Sequence, residues 1–306
     1  MTFLSQAAAK RRLSKKVALC YNSFAQEKAT RRALQKRYKA VAFDIDGTLT
    51  AFGRWIIPHS LRATLLSLPK NIPLAFCTGR SFDHIKGKLA HITEKAKDEE
   101  AERKRWSVLA ENGGACYEYH PRKKDHELFY EVPWPGHRIT QDAMEAFIKD
   151  KYGWHCIIVI RDHSLVIRFP DWFYLFPKTT RIVSRHTATS LRNLFEKMGL
   201  DGHFLVQDSG IGCLIIPAES GKGKAVKRWA KHLKIPLKDI LVIGDQPLKG
   251  ENDEEFLNGH FGTSFTVGHQ SHNTYPLPVL DERGRKLRGP TGTEYLLKQL
   301  FTSRPV

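Results

Sequence analysis

The chain has 306 residues, 41% of them apolar and 26% charged, which are the proportions of a folded globular protein and exclude a disulfide-stapled miniprotein and wholesale disorder. Its apolar runs are too short to span a bilayer and its five cysteines form no CxxC pair, so we expect a cytoplasmic protein without a transmembrane segment, disulfide framework or zinc ribbon. The net charge of +17 favours anionic partners without choosing among phosphorylated metabolites, nucleic acid and a membrane surface.

The N-terminal extension, residues 1–39, carries most of this charge, with eleven lysines and arginines against the single acid Glu27. Apolar residues recur there at helical spacing in two stripes, formed by Leu13, Val17 and Tyr21 and by Leu34 and Tyr38. The extension is therefore predicted as one or two amphipathic helices. An organellar transit peptide has a similar composition, and that alternative stays open.

Four short apolar runs are each followed by a turn, which is typical of the strands of a parallel sheet. The runs are 40–45, 74–77, 211–217 and 240–243. Helical patterns, including Ser60 to Leu68 and Lys222 to Leu233, lie between them. We therefore predict an α/β fold with a doubly wound parallel sheet, whose functional residues gather at the C-terminal ends of the strands.

A second domain is predicted between the second and third runs, because a gap of about 130 residues is too long for one crossover helix. The patterns there predict helices at 82–105, 141–151 and 180–198 and strands at 108–119, 128–132, 157–160, 165–169 and 204–207. The predicted organisation is a basic helical extension (1–39), a catalytic core (40–84 and 210–306) and an inserted α+β cap (85–209).

The turn after the first run holds two carboxylates, Asp44 and Asp46, two residues apart. On an extended strand they lie on the same side, and the turn at Gly47 exposes amide N–H groups that could hold phosphate oxygens. One carboxylate can attack phosphorus while the other delivers a proton to the leaving oxygen. A solvated turn is the alternative for an isolated pair of this kind.

Four segments in chain order resemble the four motifs of the haloacid dehalogenase superfamily, whose members are mostly phosphatases. They are VAFDIDGTLT (41–50), LAFCTGRS (74–81), SGKGKAVKRWAKHL (220–233) and LVIGDQPLKGENDEEFL (241–257). Together with the insertion, the resemblance covers residues 40–300. The place of the insertion and the stretch ENGGACYEY (111–119) resemble the large-cap subfamily IIB, with its Cof-like and sugar-phosphate phosphatases and its phosphomannomutases.

This resemblance implies a catalytic role for four residues. Asp44 would be the nucleophile that becomes an aspartyl phosphate, and Asp46 the acid that protonates the leaving alcohol and then deprotonates water. Thr78 would hold the transferring phosphoryl group, and Lys222 would neutralise charge between that group and Asp44. The residues expected to contact the substrate are Gly47, Thr48, Gly79, Arg80 and Asn252.

The resemblance also implies Mg²⁺ as the cofactor, a hard cation that favours oxygen ligands. The carboxylates of Asp44 and Asp245 and the backbone carbonyl of Asp46 would bind it, and Asp253 would support the site. The expected function is hydrolysis of a small phosphorylated substrate, a sugar phosphate.

Two other functions stay open. The spacing from Asp245 to Asn252 and Asp253 resembles that of phosphomannomutases, which favours a phosphomutase. The basic residues 1–39 could instead bind nucleic acid, which would make the chain a nucleic-acid-associated phosphatase or an interaction protein.

Two further groups of residues have a structural and a functional interpretation. Cys77 ends a buried run and is predicted to be a core residue rather than a nucleophile. Aromatic and arginine side chains of the cap could form a stacking and phosphate-binding surface, although packing within the cap is favoured. They are Trp134, Trp154, Trp172, Phe173, Tyr174, Arg138, Arg161 and Arg168.

Overall fold

The computed structural model describes residues 26–51, 54, 56–152, 156–259, 261, 263–269 and 274–302. Some residues named above lie outside this described part of the chain, namely Leu13, Val17, Tyr21, Trp154 and the side chain of Tyr174.

The described strands and α-helices are as follows. The strands are β1 (Ala40–Phe43), β2 (Leu74–Cys77), β3 (Trp106–Ala110), β4 (Ala115–His120), β5 (Asp125–Glu131), β6 (Ile157–Ile160), β7 (Leu165–Arg168), β8 (Phe204–Asp208), β9 (Gly212–Pro217), β10 (Ile240–Gly244), β11 (Thr263–Thr266) and β12 (Leu277–Pro278). The helices are α1 (26–35), α2 (His59–Ser67), α3 (Phe82–Thr93), α4 (Glu99–Lys104), α5 (Gln141–Tyr152), α6 (Pro177–Lys197), α7 (Lys222–His232), α8 (Glu254–Leu257) and α9 (Gly289–Leu297).

Eight strands form the core sheet in the order β12-β11-β10-β1-β2-β3-β4-β5. The pairs from β12 to β3 are parallel, and β4 and β5 extend the sheet antiparallel. Because parallel strands end at the same edge, the residues that follow β1, β2 and β10 lie close together. This edge carries Asp44, Thr78 and Asp245.

Helices cover both faces of this sheet, because side chains alternate along each strand between the two faces. On β1, Val41 and Phe43 pack in the cluster that includes α2, α3 and α9. Ala40 and Ala42 pack on the opposite face with α7 and α8. The predicted doubly wound α/β core is confirmed, and burial on both faces explains why its central strands read as nearly continuous apolar runs.

A second, antiparallel sheet forms the cap, with the strand order β6-β7-β9-β8. One face is covered by α5 and α6, through a cluster that includes Met144, Leu191 and Phe195. The other face carries the smaller apolar cluster of Val166, Leu214 and Ile216. The cap sheet therefore has one helix-covered face and one face open to other contacts.

Strand pairing differs from the sequence prediction at both edges of the cap. Strands β3, β4 and β5 belong to the core sheet, although the sequence predicts the runs 108–119 and 128–132 inside the cap. The run 211–217 is predicted as a core strand, but β9 pairs with β7 and β8 in the cap sheet. A fully buried strand is apolar in either sheet, so its composition does not indicate its partner.

The predicted charged helix at 82–105 is two helices, α3 and α4, separated by residues 94–98. The side chain of Asp98 accepts a hydrogen bond from the Ala101 amide and so caps the second helix. The other predicted helices begin and end within three residues of their predicted bounds. The aspartate cap therefore accounts for the start of α4 within the continuous charge pattern.

The described part of the basic extension packs against the core. Leu34 and Tyr38, which share a predicted helical stripe, both contact the core cluster, where Tyr38 is buried. The Lys39 amide donates to the Asp239 carbonyl at 2.9 Å, and the amine of Lys39 lies 2.9 Å from the Asp239 carboxylate. Residues 26–39 are thus fastened to the core by apolar and polar contacts.

Candidate active site

A buried cluster of charges lies at the C-terminal edge of the core sheet. The Lys222 amine is 2.5 Å from Asp44 Oδ1 and 2.6 Å from Asp253 Oδ1. These three side chains are almost fully buried, and Asp245 is 8% exposed. The fold thus brings together four predicted site residues that are up to 209 positions apart.

Backbone hydrogen bonds hold these side chains in place. The Asp44 amide donates to the Ile243 carbonyl at 2.8 Å, so that β1 and β10 end side by side. The second carboxylate oxygen of Asp253 accepts from the amides of Asp245 and Gln246 at 3.1 and 3.2 Å. Lys222 is the first residue of α7 and is buried at its start.

Burial and mutual repulsion shift the ionisation of this cluster. Burial, together with the carboxylates of Asp253 and Asp46, raises the pKa of Asp44 to about 7 against the opposing effect of Lys222. Burial, with the nearby Asp44 and Asp253, also raises the pKa of Asp245 well above its usual range. Burial alone would lower the pKa of Lys222, but Asp253 and Asp44 outweigh it and raise that pKa.

The three buried aspartates fit a hard divalent cation. One oxygen from each of Asp44, Asp245 and Asp253 lies within 4.8 Å of the others. Asp245 Oδ1 is buried and has no hydrogen-bond partner within the described ranges. One lysine against three carboxylates leaves excess negative charge, which a cation with a preference for carboxylate oxygens would neutralise.

Gly47 allows the loop after β1 to approach this cluster closely. Its φ is +87°, a conformation that side chains rarely adopt, and a Cβ atom there would lie 2.4 Å from Asp245 Oδ2. The glycine predicted from the Asp-Gly-Thr turn is therefore required by the position of the Asp245 carboxylate.

The second carboxylate of the first motif is held by an arginine. Arg80 donates from Nε and Nη2 to the two oxygens of Asp46, at 2.7 and 2.9 Å. Both side chains are 32% exposed, so this bidentate pair remains accessible from the cleft. Thr78 lies beside it, and its hydroxyl oxygen accepts from the Arg80 amide at 3.2 Å.

A cleft of about 520 Å³ lies between this edge of the core and the open face of the cap sheet. Six of the predicted site residues line it, namely Asp44, Asp46, Thr78, Gly79, Arg80 and Asn252. Thr48 is predicted to contact the substrate, but it is fully buried and its carbonyl accepts from the Thr293 hydroxyl at 2.9 Å. Thr48 therefore does not reach the cleft.

Asn112 is a structural link at this site that the sequence prediction did not single out. Its amide donates to the Thr78 carbonyl at 2.8 Å, and its carbonyl accepts from the Gly221 amide at 2.7 Å. Its side chain donates to Gln207 of the cap at 2.5 Å. Its φ of +53° is unusual for a residue other than glycine. The Glu-Asn-Gly stretch was the available signal, since asparagine tolerates this conformation.

Trp134 and Cys77 are structural, as favoured from the sequence, whereas Trp172 is 54% exposed and does not pack in the cap core. Trp134 contacts the cap core and donates to the Ile139 carbonyl at 2.9 Å. Cys77 is fully buried in the core cluster, and burial raises its pKa well above the usual range. By contrast, Arg161 and Arg168 line the cleft.

Comparison with known proteins identifies the family to which this chain belongs. The family model of the haloacid dehalogenase-like hydrolases matches residues 88–275, more than half of the chain. The chain belongs to this family. The family, the fold class and the enzyme class of phosphoric monoester hydrolases predicted from the four motifs are therefore confirmed.

Two relatives of this haloacid dehalogenase-like hydrolase have assigned activities. The HMP-PP phosphatase of Yersinia pestis (strain Pestoides F) is 26% identical over 242 residues, covering 72% of this chain and 81% of the relative. The phosphoglycolate phosphatase of Archaeoglobus fulgidus is 27% identical over 221 residues, covering 70% of this chain and 77% of the relative.

Solved structures share the fold. An N-terminally truncated, IMP-bound IMP-nucleotidase of Plasmodium falciparum matches with a TM-score of 0.61 and 18% identity, over 87% of this chain and 69% of that one. The sucrose-phosphatase of Synechocystis sp. PCC6803, in complex with sucrose and phosphate, matches with a TM-score of 0.55 and 17% identity, over 88% of this chain and 100% of that one.

Within the described ranges, every helix is too short or too polar to cross a lipid bilayer.

Proposed function

We propose that this haloacid dehalogenase-like hydrolase is a Mg²⁺-dependent phosphatase that hydrolyses a sugar phosphate through an aspartyl phosphate on Asp44. The observation that carries the proposal is the Asp44 carboxylate, which lines a cleft while its Oδ1 lies 2.5 Å from the buried Lys222 amine. A carboxylate so placed can reach a bound phosphoryl group, and the amine reduces the repulsion between the two anions.

The proposed reaction has two steps. Asp44 forms a bond to phosphorus while the bond from phosphorus to the leaving oxygen breaks, and Asp46 gives that oxygen a proton. Asp46 then takes a proton from a water molecule whose oxygen attacks the same phosphorus, which releases inorganic phosphate and restores the Asp44 carboxylate. Arg80 holds the ionised Asp46 at the cleft through its bidentate contact, and this pair opens when Asp46 carries the proton that it gives to the leaving oxygen. Thr78 and Asn252 face the transferring group from the wall of the cleft.

The metal site of this proposal consists of the carboxylates of Asp44 and Asp245, the backbone carbonyl of Asp46 and, in support, Asp253. When bound, Mg²⁺ neutralises negative charge as the carboxylate and the phosphate approach each other. Among the described residues, the Lys222 amine is the only positive charge within salt-bridge distance of the aspartates of this cluster.

Replacing Asp245 by alanine tests the metal site. We expect the Mg²⁺ concentration for half-maximal activity to rise at least about tenfold, with a lower maximal rate, because a hard cation loses a charged ligand. The measurement is a Mg²⁺ titration of phosphate release, together with the Mg²⁺-induced rise in melting temperature. Asp201→Ala, at an exposed aspartate outside the site, is the matched control. An Asp245→Ala titration that overlays the wild-type curve would place the metal elsewhere.

A substrate panel tests the function itself. We expect stoichiometric release of phosphate from sugar monophosphates with Mg²⁺ and without a bisphosphate activator, followed by phosphorus NMR. The phosphomutase alternative rests on the seven-residue interval between Asp245 and Asn252. Interconversion of hexose 1- and 6-phosphates with little free phosphate would favour it over hydrolysis.

The nucleic-acid alternative is tested in the same panel by oligonucleotides with a terminal phosphate. It rests on the charge of residues 1–39, whereas the two relatives with assigned activities are, by their names, phosphatases of small molecules. Preferential hydrolysis of these oligonucleotides, with an affinity that falls steeply as salt rises, would support it.

A further inference from the structure

Arg161 places a positive charge of the cap against the catalytic edge of the core. It follows β6, and its amide donates to the Ser164 carbonyl at 2.9 Å, which fixes the tight connection to β7. Its Nη1 donates to the Gly79 carbonyl at 2.5 Å, next to Thr78. The guanidinium therefore lies in the cleft, beside the loop proposed to hold the transferring phosphoryl group.

This guanidinium has no carboxylate within 4.0 Å among the described residues. Burial lowers the pKa of Arg161, and the nearby Glu111 only partly offsets this. Glu111 is itself engaged, because its Oε2 accepts from the His163 amide at 3.1 Å and from the Ser164 hydroxyl at 2.6 Å. An arginine has five N–H donors, and the Gly79 carbonyl accepts from one of them.

The other arginines that line the cleft have acidic partners. Arg80 is paired with Asp46, as described above. Arg168 lies 3.7 Å from Asp171, although both side chains are largely exposed and solvent screens the pair. The described residues that line the cleft from the cap include no acid, whereas Asp44 and Asp46 line it from the core. The cleft is therefore positive on its cap side.

We propose that the substrate carries a second anionic group besides the phosphoryl group that is transferred, and that Arg161 binds it. This inference rests on the proposed function, whose substrate it narrows to a doubly anionic phosphomonoester. A neutral leaving group would leave the half-buried charge of Arg161 without a counter-ion, which is unfavourable. A phosphate or a carboxylate would each accept two parallel N–H donors from the guanidinium.

The test compares three substrates with the same 6-phosphate, assayed with the full-length protein. Glucose 6-phosphate has no second anion, glucose 1,6-bisphosphate has a phosphate and 6-phosphogluconate has a carboxylate. We expect kcat/KM for at least one doubly anionic substrate to exceed that for glucose 6-phosphate about tenfold or more, and Arg161→Gln to reduce this preference to less than about threefold. The preferred substrate then identifies the second group as a phosphate or a carboxylate.

Two variants control for other roles of the arginine. Arg161→Lys keeps the charge without the planar fork and should retain part of the preference. Arg138→Gln removes an exposed cap arginine that does not line the cleft, and it should leave the ratio of the three substrates unchanged. If Arg161→Gln slows all three substrates equally, Arg161 only fastens the cap to Gly79 and the proposal is wrong. It is also wrong if the wild-type protein has no preference.

Binding separates this inference from the proposed function. Calorimetric titration of the same three compounds into the Asp44→Asn protein measures the preference without turnover. Tighter binding of the doubly anionic compounds, lost in the Asp44→Asn/Arg161→Gln double variant, would support the inference even if the wild-type protein released no phosphate. Failure of hydrolysis would in that case contradict the proposed function alone.

Discussion

Asp44→Asn is expected to reduce phosphate release by about four orders of magnitude or more, because the amide cannot attack phosphorus and form the aspartyl phosphate. The volume of the side chain hardly changes, so the fold should persist. The measurement is a sensitive phosphate-release assay under saturating Mg²⁺, with circular dichroism as the control for folding. Turnover at even a tenth of the wild-type rate would show that another group is the nucleophile.

The same variant has a stability signature that does not depend on catalysis. The pKa of Asp44 is about 7 in the folded protein, against about 4 for an unperturbed aspartate. The folded state therefore binds more protons than the unfolded state between these values, and this group's contribution to stability falls as pH rises from about 4 to about 7. The Asp44→Asn protein has no ionisable group at this position, so it does not show this fall in stability between about pH 4 and about pH 7. In urea denaturation with EDTA, its stability relative to the wild-type protein should be higher at pH 8 than at pH 5.

Lys222→Met should have the largest effect on stability and should also abolish activity. The amine is fully buried and is the counter-charge for both Asp44 and Asp253. Removing it leaves two buried carboxylates unpaired, and the free energy of unfolding should fall by about 3 kcal/mol or more. Urea denaturation at pH 7 without metal measures this change.

Two further variants make the result specific to the charge pair. The double variant Lys222→Met/Asp253→Asn removes one of the two unpaired carboxylates and should recover part of the lost stability. The recovered free energy measures the coupling between Lys222 and Asp253. Lys224→Met is the matched control on the same helix, because the Lys224 amine contacts only the Ala218 carbonyl among its described partners. A Lys222→Met protein as stable as the wild type would mean that the two aspartates are protonated at neutral pH.

Most of the catalytic edge could be predicted because its residues follow strands within short, ordered motifs. Asp44, Thr78 and Asp245 each come directly after a buried strand, and parallel pairing brings such positions together. The contact between Lys222 and Asp44 spans 178 positions, so only the resemblance of both segments to one family indicated it. Thr48 belongs to the same motif but is fully buried and does not line the cleft, and the motif alone does not indicate this difference from its neighbours.

The cap could be predicted only in outline. Its strands and helices lie close to their expected positions, but strand partners depend on contacts that no single run reveals. Asn112 shows the same limit for function. It acts through a backbone hydrogen bond to the Thr78 carbonyl in the loop after β2, and hydrophobic periodicity carries no information about such contacts.

The two ends of the core sheet also bear on how this protein behaves at high concentration. An unpaired strand edge can recruit another chain through its free N–H and C=O groups. Here one end is β12, only two residues long and ending in Pro278, which has no N–H to offer. The other end is β5, which carries the charged Asp125, Glu127 and Glu131. Short length, proline and charge therefore discourage sheet-to-sheet aggregation, although eight strands lie in one continuous sheet.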